Sequence, residues 1–80
     1  MENGYDDYNL ADIIKKDSWM LEKVKNINTF KLKSVTKYEA VKFFWNTPDG
    51  LNFRKRLSKI VKYRGRKAKD AIVALMFEYE

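Results

Sequence analysis

Apolar residues first recur at helical spacing between Leu10 and Ile27. Leu10, Ile13, Ile14, Leu21 and Val24 fall on one side of a helix projected at about 100° per residue. Asn9, whose side-chain oxygen can accept from amides one turn on, is a suitable N-cap. The pattern predicts a helix from Asn9 to about Ile27. Asp17-Ser18 interrupts its apolar side, and a second helix beginning there would use Ser18 as cap, with Glu22 in its first turn. Thr29-Phe30-Lys31-Leu32-Lys33 then alternates apolar and charged residues, but a lone short strand has nothing to pair with. An extended connection is expected across residues 29–35.

Two helix starts follow. Thr36-Lys37-Tyr38-Glu39 has the spacing of a capping box, in which the Thr hydroxyl and the Glu carboxylate each accept from the other's amide. The helix it opens is expected to bury Tyr38, Val41, Phe44 and Trp45. Thr47-Pro48 supplies a cap followed by proline at the first helical position, where the missing N–H costs nothing. That helix is predicted to run from Pro48 to Arg64, with Gly65 as its C-cap. The segment from Arg66 to Glu80 presents Ala68, Ala71, Ile72, Leu75, Met76 and Tyr79 as one helical face. Residues 72–77 also read as a buried strand, but Ala, Leu, Met and Lys are good helix formers and the stretch is long for a strand.

The predicted fold class is therefore all-α: a small bundle of three or four helices with a short extended segment near residues 29–35. Residues 1–8 are read as a flexible acidic N-terminal arm and residues 9–80 as a single helical domain. Trp19 and Phe43 project away from the apolar faces. In a chain of this size aromatics are expected in the core, with stacking on a nucleic-acid base as the alternative. The last helix carries Val73 and Phe77 opposite its main face. Such an element is either central to the fold or half of an oligomer contact, here a homodimer through residues 71–79.

Charge changes this picture from a bundle into a bundle with a polarity. The 80 residues hold 17 Lys and Arg against 11 Asp and Glu, a formal net charge of +6, with a sequence pI near 9.6. Residues 1–12 contain Glu2, Asp6, Asp7 and Asp12 and no base. Residues 54–69 contain Arg54, Lys55, Arg56, Lys59, Lys62, Arg64, Arg66, Lys67 and Lys69 and no acid. More than half of the positive charge thus falls in one fifth of the chain. An ordinary solvated helix face mixes signs to form i, i+4 pairs, whereas an uncompensated run repels itself and suits a polyanionic partner.

On the Pro48–Arg64 projection, Phe53, Leu57, Ile60 and Val61 face one way. Lys55, Lys59 and Lys62 form a stripe facing the other, flanked by Arg56 and Tyr63, and Arg54 and Arg64 lie nearer the apolar side. The Arg64-Gly65-Arg66-Lys67 corner continues the positive surface. Lys55, Arg56, Lys59, Lys62, Tyr63, Arg64, Arg66 and Lys67 are the candidate nucleic-acid-binding residues. The lysines would neutralise phosphates, Arg56 would make forked contacts, and Tyr63 would stack on a base or donate to phosphate. A helix-turn-helix reading, with 36–45 followed by 48–64, is weakened by the short Asn46-Thr47 link and by Gly50 falling inside the second helix. RNA is accordingly placed slightly ahead of DNA.

Other classes find less support. With no His and no Cys, the chain lacks the usual proton shuttle near neutrality and the thiolate nucleophile. Its glycines are isolated, so no phosphate loop is read, and no carboxylate spacing suggests a metal. No catalytic role, cofactor or metal is expected. The start of the chain is acidic where a secretory signal would be basic then apolar. The longest apolar run, residues 71–77, is far short of the roughly 18 needed to span a bilayer. A cytoplasmic protein without membrane association is expected. The alternative function is a small phage-type protein-binding inhibitor or antitoxin-like factor, its basic face set on an acidic host protein.

Overall fold

In the computed structural model, which describes residues 9–80, every regular element is helical: α1 Leu10–Lys15, α2 Ser18–Phe30, α3 Lys37–Trp45, α4 Pro48–Ile60 and α5 Gly65–Glu78. No strand occurs among the described residues. The acidic arm lies outside them. Five helices replace the expected three or four because Asn9 and Asp17 each cap a helix of their own. The Asp12 amide donates to the Asn9 side-chain oxygen Oδ1 at 3.1 Å. The Met20 amide donates to the Asp17 carboxylate at 3.1 Å. Asp17, not Ser18, is the second cap.

α5 is the central element and packs against α1, α2 and α3. Ala68, Ile72, Leu75 and Met76 are fully buried along its length, the i, i+4, i+7 spacing of a core-facing stripe. Leu10 and Ile14 of α1, Met20 and Val24 of α2, Val41 and Phe44 of α3, and Phe53 and Leu57 of α4 complete one hydrophobic cluster. Asn28 ties α2 to α5 by donating to the Met76 carbonyl at 2.9 Å. The apolar surplus predicted for α5 reflects its place among three neighbours, with Val73 half-buried on the core. Phe77 remains 59% exposed, under the Lys37 ammonium at 4.5 Å.

α3 carries the expected capping box: the Glu39 amide donates to the Thr36 hydroxyl and the Thr36 amide to the Glu39 carboxylate, both at 3.1 Å. α4 starts as predicted, the Gly50 amide donating to Thr47 Oγ1 at 3.0 Å. At Gly50 the backbone of α4 comes close against the end of α3. A Cβ there would overlap the Phe44 carbonyl oxygen and approach the Trp45 carbonyl carbon to 2.9 Å.

Three boundaries differ from expectation. Thr29 and Phe30 finish α2 instead of opening an extended segment, with the Thr29 hydroxyl bonded back to the Lys25 carbonyl at 3.0 Å. The connection that follows contains a turn closed by the Val35 amide on the Leu32 carbonyl at 3.1 Å. α4 stops at Ile60, four residues early. Val61, at φ −154° and ψ 150°, is extended and buried. A β-branched pair at 60–61 is a mediocre helix former, and the burial of Val61 and the packing of Tyr63 on Trp45 act in the same direction. Gly65 is not a left-handed C-cap. No described residue has a positive φ, and Gly65 instead begins α5.

Among the described residues, no helix is long and apolar enough to cross a membrane.

Candidate nucleic-acid interface

The eight candidate residues divide into those that the fold leaves outside and those that it uses. Lys55 and Lys59, one turn apart on α4, are exposed, as are Lys62 on the extended link and Arg66 and Lys67 in the first turn of α5. None of these five has an ion pair among the described residues. The pairs found there engage Lys15, Lys16, Lys23, Lys37 and Arg56. Lys62 leaves the predicted helical stripe because α4 has ended. The link keeps it on the same exterior corner, where it lines a recess with Ser58 of α4 and Gly65 of α5.

Arg56 is not an uncommitted fork. Its Nε–H donates to the Asp17 carboxylate at 2.7 Å, and its guanidinium lies 5.5 Å from the centre of the Trp19 ring. Asp17 in turn caps α2. The Arg56 hydrogen bond holds the Asp17 carboxyl below the ordinary carboxylate range, with the Met20 amide adding to the effect and burial opposing it. The absence of acids within residues 54–69 therefore did not prevent neutralisation by an acid from far away in the chain.

Tyr63 is half-buried rather than presented for stacking. It meets Trp45 edge-on, with ring centres 6.3 Å apart, and its hydroxyl donates to the Arg54 carbonyl at 3.3 Å. Burial raises its phenol above the ordinary value. Arg64 is exposed and occupies the N-cap position of α5, where no side chain bonds the first amides. Two further cations in that turn, Arg66 and Lys67, stand at the positive end of the helix dipole, the less favourable end for them.

Two features escaped the sequence reading. Trp45 is only partly buried and carries the Arg54 guanidinium at 5.3 Å and the Lys69 ammonium at 5.4 Å from its ring centre. Arg54 was placed nearer the apolar side of its helix, and the proximity of α3 to α4 that sets it over Trp45 has no signature in the run itself. The other feature is apolar. Phe30 and Phe43 are each 77% exposed and Leu32 is 69% exposed. With Val35 they line a groove of about 720 Å³ between α2, the 31–36 connection, α3 and the start of α4. Phe43, expected in the core, is thus on the surface. Trp19 is packed inward against Phe53 with ring centres 6.4 Å apart. Tyr38, also expected to be buried, is exposed at the start of α3.

No group of three or more His, Cys, Asp or Glu side chains converges to hold a metal ion among the described residues. Comparison with known proteins adds no relative: no family model matches the chain, and no curated protein or solved structure is significantly similar to it.

Proposed function

We propose that the protein is a small nucleic-acid-binding accessory or regulatory protein, RNA ahead of DNA, with no catalytic activity of its own. The carrying observation is the set of five exposed cations, Lys55, Lys59, Lys62, Arg66 and Lys67, without an ion pair among the described residues. Their neighbour Arg56 shows what compensation looks like when an acid is within reach. Held on α4, the link and α5, such cations gain by displacing counterions from a phosphate backbone, each neutralised phosphate adding about 0.7 to the salt slope on a single strand and 0.9 on B-DNA. Arg64 continues the surface, while Tyr63 supports it from inside and Arg56 stands at its edge. Converting Lys55, Lys59 and Lys62 together to Glu is expected to abolish retardation of RNA and DNA in a gel while the far-ultraviolet dichroism stays helical. Undiminished binding by that variant sinks the reading.

The groove of Phe30, Leu32 and Phe43 favours a second reading, a protein-binding inhibitor. Its occupant would be an apolar segment of a protein partner, because the nearby charges are already engaged: Lys23 with Asp49 at 3.2 Å and Lys31 with the Val35 carbonyl at 3.0 Å. A stoichiometric protein held by the unaltered chain and released by Phe43→Glu supports this reading. Co-purifying RNA removed by RNase supports the first. A homodimer through residues 71–79 would use Phe77, the large apolar side chain that α5 leaves exposed, and would double the basic surface. Sedimentation equilibrium of Phe77→Ser beside the unaltered protein decides that point.

A further inference from the structure

The end of α3, the middle and C-terminal half of α4, the 61–64 link and the start of α5 border a shallow, open recess of about 510 Å³, lined by Trp45, Arg54, Ser58, Lys62, Tyr63 and Gly65. It contains two cations and no acid. Arg54 is partly buried there, has no carboxylate partner among the described residues, and keeps its Nε buried without a hydrogen-bond acceptor. A buried polar group is normally satisfied, and a guanidinium whose Nε–H is shielded from water without an acceptor is held at a cost. Trp45 forms one wall, its Cζ2 edge 3.7 Å from where a Cβ on Gly65 would stand. Lys69 lies 5.4 Å above the same ring.

We propose that this recess is a subsite for one phosphate group of an unpaired nucleotide strand, an inference that rests on the nucleic-acid reading above. The available donors are the Arg54 guanidinium, the Lys62 ammonium and the first amides of α5, which no side chain caps. The hydroxyls beside them are turned to other work. Ser58 donates to the Lys55 carbonyl at 2.9 Å and Tyr63 to the Arg54 carbonyl, which leaves the cations to do the recognising. A guanidinium offers a phosphate two parallel donors, and a helix N-terminus offers it aligned amides. The exposed Lys55, Lys59, Arg66 and Lys67 would then follow the strand on either side.

The aromatic wall selects the kind of strand. A phosphate set beside an indole that also receives its sugar or base requires a backbone that can turn out of line. Loops, bulges and single strands do this, and a regular duplex does not. The aromatic corner of Trp45 and Tyr63 would take the apolar side of the sugar or base that accompanies the phosphate.

The chain has two tryptophans, so the indole N–H signals in a ¹H–¹⁵N spectrum report the recess directly once Trp19→Phe has assigned them. Titration with a short oligouridylate is expected to move the Trp45 signal and leave that of Trp19 in place. Arg54→Gln is expected to abolish the Trp45 shift, weaken binding about tenfold, as the loss of one charge-assisted contact would, and lower the salt slope by about 0.7. Arg54→Lys, which keeps the charge and removes the fork, should fall between the two. The dispersion of the remaining amide signals reports whether each variant is folded, and the shift in the unaltered protein does not depend on any variant. Binding of the oligouridylate with the Trp45 signal unmoved overturns the subsite and leaves the exterior interface standing. No binding of any oligonucleotide at low salt overturns both.

Discussion

The two ends of α4 face the same solvent and solve opposite problems. At its N-terminal end the charges are settled locally: Asp49 pairs with Lys23 and lies in the favourable first turn of the helix. What that end leaves to water is carbon, in Phe30, Leu32 and Phe43. At its C-terminal end the apolar groups, the exposed Ile60 excepted, are settled. Leu57 and Val61 are buried and Tyr63 is packed on Trp45. What is left over is charge, in Lys55, Lys59 and Lys62. The surface around this 13-residue helix thus changes from apolar, on its neighbours at one end, to cationic at the other. Surplus apolar area seeks a partner through water release, whereas surplus cations seek one through counterion release. High salt weakens the second and does not weaken the first, so the two ends are separable by experiment.

The most severe way to break the comparison is to separate α4 from α3. Gly50→Ala places a methyl group against the Phe44 and Trp45 backbone, which cannot swing aside as a side chain can. The expected cost is about 3 kcal/mol, the upper end of ordinary overpacking, a large part of the about 5–15 kcal/mol that a small domain possesses. Both ends of α4 should fail together in this variant. A urea midpoint equal to that of the unaltered protein shows that the helices do not meet as described.

A milder change separates the ends. Phe43→Ser removes an aromatic that is already 77% exposed, so stability should stay within about 0.5 kcal/mol. Retention of RNA should be unchanged at every salt concentration, and occupancy of the apolar groove by a protein partner should be lost. If the same substitution weakened RNA binding as much as the loss of a lysine does, the two ends would belong to one interface and the contrast would disappear.

What the sequence made legible divides in the same way. Local chemistry was readable: Thr36 with Glu39, Thr47 with Pro48 and Asn9 act on amides within one turn, so their effect is written in neighbouring residues. Helix ends decided by distant contacts were not. Gly65 looked like a stop signal, but burial of Val61 and packing of Tyr63 on Trp45 end α4 before the chain reaches it. The exposed Phe43 was misplaced because a helical projection reveals which residues share a face and not which face the rest of the fold will cover. For the charged run, sequence reported the surplus faithfully and its distribution imperfectly. Arg56 found Asp17 39 positions away, and Arg54 found an indole instead of an acid.

The smallest expected effect tests that last point most directly. Asp17→Asn keeps an excellent N-cap on α2 but withdraws the carboxylate from Arg56. The pair is half open to solvent on the arginine side, so its loss should cost no more than about 1 kcal/mol near neutral pH. The sign of the pH dependence follows from the direction of the shift. Because the folded-state pKa is depressed, the contribution of Asp17 is full above its unfolded value of about 3.9. It is lost as pH falls through the lower folded value. The difference in stability between the two proteins should therefore shrink on acidification and be flat above the carboxylate range. Freed of its partner, Arg56 joins Lys55 and Lys59 as an uncompensated cation, and the variant should bind RNA slightly more tightly, with a salt slope steeper by up to about 0.7. Weaker binding would mean that Asp17 orients Arg56 toward the ligand. The ion pair would then be part of the interface, and compensation at this end of α4 would be a way of aiming a charge rather than cancelling it.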